Sequence, residues 1–160
     1  MTKEMLIYWY TVNTPIKDIT PNETFCIGEV DPEASKYAFM SDENKALSRI
    51  KEELSNSKVG SRIDFNSDVD HKSIQFKIVN FPNPNNKTNH FDKDVHKVLG
   101  SIGCKHIGGE WYNTSPDEII RALDYIETGA PLGKKYELRT RQNEAIKKFQ
   151  TALFENKIGC

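Results

Sequence analysis

The stretch GGEWYNTSPDEIIRAL, residues 108–123, holds the end of a strand and the start of a helix within sixteen positions. Ser115 is a good N-cap, Pro116 fits the first helical position, where its missing N–H costs nothing, and Glu118 completes a capping box. Ile119, Leu123 and Ile126 recur at helical spacing, and Gly129 followed by Pro131 stops the helix. The four residues GEWY just before this start are short and aromatic enough for a strand. A strand that runs straight into a capped helix points to mixed α and β structure.

The flanking sequence extends that reading. MLIYWYTV (5–12) and TFCIGEV (24–30) are apolar and β-prone, and the proline-bearing loop NTPIKDITPNE joins them as an antiparallel pair. SDENKALSRIKEELSNS (41–57) is an amphipathic helix capped by Ser41, with acids in its first turn and Leu47, Ile50 and Leu54 as its stripe. SIQFKIVNF (73–81) is a third strand with Ile74, Phe76 and Ile78 alternating. After the polar segment PNPNNKTNH, FDKDVHKVLGSIG (91–103) forms a second helix with Val95, Val98, Leu99 and Ile102 toward the core. The order strand, strand, helix, strand, helix, short strand, helix predicts an α+β fold: a small, mainly antiparallel sheet flanked by helices. A basic C-terminal helix, about Arg141 to Glu155, follows.

The chain has 160 residues, 37% hydrophobic and 28% charged, which suits one soluble domain with an appendage. No apolar run approaches the roughly 20 residues that span a bilayer. The N-terminus has no signal-peptide pattern, so a cytoplasmic protein without a membrane partner is expected. Cys26, Cys104 and Cys160 are far apart and odd in number, which supports neither a disulfide framework nor a zinc knuckle. Net charge is −1, with basic excess in residues 58–113 and 131–160. That distribution permits a basic face without announcing nucleic-acid binding.

Few residues suggest chemistry when taken singly. Tyr8 and Tyr10 are either packed strand aromatics or, beside cations or a metal, a general base. Arg49, next to the apolar stripe of its helix, is either a surface arginine or a phosphate clamp. Asp92 and His96 share a helix face four residues apart, which fits a metal-binding carboxylate beside an imidazole as well as a solvated pair.

Taken in order, YWYT, CIGEV, the Arg49 helix, DKDVHKVL and GGEWYNTSPDEI resemble the motif series of GIY-YIG nuclease-like domains of the phage-type branch, over about residues 5 to 128. The resemblance implies a metal-dependent, phosphodiester-cleaving endonuclease domain over 1–130 that acts on DNA. In that family a tyrosine activates water, an arginine stabilises the phosphate and an acid holds a divalent metal. The tyrosine falls at Tyr8 or Tyr10, the arginine at Arg49, the branch's histidine at His96, and the carboxylate that binds Mg2+ at Asp92, or at Asp94 in another register. Cys26 stands where the family's second tyrosine would be, and DPEASKYAFMSDEN looks like an insertion before Arg49.

Residues 131–160 carry a second resemblance. LRTRQNEAI is similar to the opening of superfamily II helicase cores, in which a glutamine reads the adenine of ATP; Gln142 would fill that slot. The chain then reads as the front end of a longer bacterial restriction or helicase protein, with a downstream helicase domain as partner. The competing class is a catalytically decayed module that holds DNA through Lys105, Trp111 and the basic tail, or that docks on the motor.

Overall fold

A computed structural model describes residues 2–82 and 91–132. The predicted C-terminal helix, Gln142 and the helicase-like stretch 131–160 lie, apart from residues 131 and 132, outside the described residues.

The architecture is α+β, as expected. Strands β1 (Thr2–Tyr10), β2 (Thr24–Val30), β3 (Gln75–Pro82), β4 (His106–Gly108) and β5 (Trp111–Asn113) form one sheet in the order β3-β1-β2-β5-β4. Every pairing is antiparallel. Helices α1 (Asp42–Asn56), α2 (Asp92–Ser101) and α3 (Pro116–Thr128) cover it.

Side chains alternate along a strand, so the central strand β1 feeds two cores. Met5, Ile7 and Trp9 pack with Phe25, Ile27, Val79 and Phe81 under α2 and α3, through Val95, Leu99, Ile119 and Leu123. Leu6, Tyr8 and Tyr10 pack with Cys26, Val30 and Trp111 under α1, through Ala46, Ile50 and Leu54. The sheet is therefore the middle of three layers. A strand buried on both faces reads as a continuous apolar run, which is what MLIYWY is.

Helix starts follow the sequence closely. Ser41 accepts from the Asn44 N–H, and Ser115 accepts from the Glu118 N–H at 3.3 Å. The Glu118 carboxylate accepts from the Thr114 and Ser115 hydroxyls. Gly129 closes α3 in the left-handed conformation, φ 76°, which glycine adopts without strain.

Two details differ from expectation. Gly109 and Glu110 form the turn of a β4–β5 hairpin, with Gly109 at φ 53° and Gly108 paired with Trp111, and β4 had no sequence signal of its own. On β3 the residues on the other face from the expected Ile74, Phe76 and Ile78 are the deeply buried ones, Val79 and Phe81, whereas Phe76 is exposed. The segment DPEASKYAFMSDEN packs onto the domain: Tyr37, in a short 3-10 turn (Ser35–Tyr37), is buried in the α1-side core, and Lys36 pairs with Glu52 on α1.

Candidate metal centre

Tyr8 faces Gly28 across the β1–β2 ladder, and Tyr10 faces Cys26. Gly28 is required by close approach: a Cβ there would collide with the Tyr8 hydroxyl and lie 2.9 Å from Glu110 Oε2. The phenol of Tyr8 crosses this gap and donates to Glu53 Oε2 at 2.9 Å. Glu53 is a carboxylate on the buried face of α1, beside Ile50 and Leu54 and four residues after Arg49.

The Cys26 thiol lies 3.4 and 3.5 Å from the two Glu53 oxygens and 4.0 Å from Glu110 Oε2. Glu110 comes from the β4–β5 turn, and its carbonyl accepts from the Ile27 N–H. One donor atom from each of Cys26, Glu53 and Glu110 lies within 4.8 Å of the others, so this group could hold a metal ion. Cys26 is fully buried, Glu53 is 8% exposed and Glu110 is half-buried.

Electrostatics mark the same place. Burial, then the charge of Glu53, pushes the Glu110 carboxyl up to about 9, with Arg49 pulling the other way. Burial, followed by Glu53, also holds the Tyr8 phenol and the Cys26 thiol well above their ordinary values. Burial opposes the charge on Arg49, but Tyr8, Glu52, Glu110 and Glu53 around it outweigh that effect and raise its pKa. Its Nη1 lies 3.6 Å from Glu52, and a cavity of about 320 Å³ opens between Arg49, Glu52, Lys36, Tyr37 and Glu29. Buried carboxyls with a single guanidinium nearby favour either protonation or a bound cation.

The expected residues divide. Tyr8 and Arg49 converge on this cluster, Tyr8 through its hydrogen bond to Glu53 and Arg49 through the charge that Glu110 feels. Tyr10 is fully buried with its hydroxyl beside the Cys26 thiol, which keeps it out of reach of solvent. Asp92 is buried at the first turn of α2, next to Glu29, and is not among the three grouped donors. Glu29 accepts from the Phe91 and Asp92 N–H groups at 2.9 and 3.3 Å, capping α2 from a neighbouring strand. Burial, followed by Asp92, raises its pKa to about 8.

His96 hydrogen-bonds the Ile27 carbonyl at 2.9 Å and stacks on Tyr112, which ties α2 to the interior strands β2 and β5. Lys105 is exposed. Trp111, expected as a DNA contact, is 1% exposed and packs edge-on against Tyr10 at 5.4 Å, so its ring is a core contact and not an open stacking platform.

Sequence reasoning missed Glu53 and gave Glu110 no role in the site. Glu53 was detectable as an acid on the apolar side of α1, three residues after Ile50. Glu110 carried no such pattern, because only the β4–β5 hairpin brings it to Cys26. Among the described residues no helix is long and apolar enough to cross a membrane. Comparison with protein-family models, with curated proteins and with solved structures gives no match.

Proposed function

We propose that residues 1–130 form a DNA-processing module of the GIY-YIG-like kind, a metal-dependent endonuclease domain of a restriction or helicase system. The observation that supports this reading is the convergence of Tyr8, Arg49 and three metal-ligand-type donors at Gly28, from β1, α1, β2 and the β4–β5 turn. A divalent cation there, magnesium on the resemblance, would supply Lewis-acid polarisation of a phosphate oxygen.

The chain's own groups have separate tasks. Arg49 faces the cavity with a permanent charge and stabilises the charge that builds on the phosphate as water's oxygen bonds to phosphorus and the bond to the leaving sugar oxygen breaks. The proton lost by water balances the one gained by the leaving oxygen. Tyr8 orients Glu53 through its hydrogen bond. A phenol whose pKa is raised by burial stays protonated and cannot take water's proton, so Tyr8 is a positioning residue here.

That same burial favours a second reading, a DNA-binding module that does not cut. Its mark is affinity that needs no metal and falls steeply with salt. Nicking of supercoiled plasmid separates the two. On the first reading wild type nicks in the presence of a divalent cation, and Arg49→Ala is slower by about 10²-fold or more. Equal, negligible nicking by both, together with salt-sensitive DNA binding, would establish the second.

A further inference from the structure

We infer that the resident cation of this site is a thiolate-accepting transition ion of the zinc class, bound by Cys26, Glu53 and Glu110, and not magnesium. This rests on reading the cluster as a metal centre and does not depend on what the domain does to DNA.

The donor set decides the ion. Magnesium takes oxygen in tight octahedra and leaves thiolates to softer ions, whereas zinc binds sulfur at about 2.3 Å and carboxylate oxygen at about 2.0–2.2 Å. In a tetrahedron those bond lengths place sulfur and oxygen roughly 3.5 Å apart. The Cys26 sulfur already lies 3.4 and 3.5 Å from the Glu53 oxygens and 4.0 Å from Glu110 Oε2. The two edges from sulfur to the carboxylates are thus close to those of a zinc tetrahedron, the third pair of donors lies within 4.8 Å, and a fourth position is left of the kind catalytic zinc sites keep for water.

Two tyrosines supply independent support. The Tyr10 hydroxyl is wholly buried beside the Cys26 thiol, so its phenol shields that sulfur from water on the β1 side. Tyr8 holds Glu53 by a 2.9 Å hydrogen bond, the outer contact that fixes a ligand's orientation in metal sites. Charge also closes: a thiolate and two carboxylates around a divalent ion leave one negative charge, and Arg49 lies alongside. Half-buried Glu110 is the route in, since Cys26 itself has no exposed surface.

The test is titration of the full chain with Co2+ as a coloured stand-in for zinc. The expected result is one equivalent bound with a sulfur-to-cobalt band in the near ultraviolet, displaced by Zn2+ but not by Mg2+. Cys26→Ser loses the band, whereas Cys104→Ser and Cys160→Ser keep it. Because Cys26 is buried, the half-buried Glu110→Gln is a second variant, expected to weaken Co2+ binding at least about 10-fold while circular dichroism stays unchanged. Absence of a thiolate band in wild type, or its survival in Cys26→Ser, overturns the inference. Metal bound through Cys26 without DNA cleavage leaves it standing and defeats the nuclease reading. Magnesium-driven cleavage without a thiolate band does the reverse.

Discussion

At the scale of single residues, Gly28 and Glu29 do unlike work on adjacent positions of one strand. Gly28 leaves the gap that the Tyr8 phenol fills. Gly28→Ala is expected to destabilise the protein by about 1–3 kcal/mol, the usual cost of overpacking a core, measured by urea unfolding. A neutral result would mean that Tyr8 is not held over β2. Glu29, half-buried beside Asp92, points the other way and caps α2. Its pKa is raised from 4.5 to about 8, so the stability gained by keeping its proton is fully present below pH 4.5 and is lost as pH rises through 8. Glu29→Gln keeps an acceptor for the helix N–H groups and cannot ionise. Its melting temperature should fall less between pH 5 and 8 than that of wild type, with the contribution of Glu110 remaining in both. Parallel curves would show that Glu29 titrates normally.

At the scale of elements, the chain announces where its helices begin. Ser115, Pro116 and Glu118 specify α3 to the residue because capping is local chemistry, satisfied by atoms within three positions of one another. Ser115→Ala is expected to cost about 1 kcal/mol, read as a lower unfolding midpoint with unchanged denaturant dependence. No change would mean that Thr114 alone holds the turn. Strands were less legible. β2 was read correctly from Thr24 to Val30, yet β4 passed unnoticed, because a three-residue strand beside glycines has too little length to show alternation. On β3 the alternation of Ile74, Phe76 and Ile78 was real but belonged to the less buried face; with apolar residues on both sides, periodicity cannot rank them.

At the scale of the whole molecule, the sheet order β3-β1-β2-β5-β4 is what creates the site. It sets Cys26 beside a turn 84 residues later and beneath a helix residue 27 positions on. Tyr8 and Arg49 were legible as candidates because their residue types suggest a task. The Cys26, Glu53 and Glu110 group was not, since the sequence shows no ligand spacing and only long-range pairing assembles it. Asp92, the expected ligand by motif order, lies against Glu29, and its charge also reaches Glu110.

The central claim is that this cluster holds the cation on which cleavage depends. Its most direct test is plasmid nicking measured against divalent-cation concentration, with magnesium, manganese and zinc taken in turn, for wild type and Glu110→Gln. The account predicts saturable, cation-dependent nicking by wild type and a half-saturation point at least about 10-fold higher in Glu110→Gln. Nicking by both proteins with the same cation dependence would contradict it.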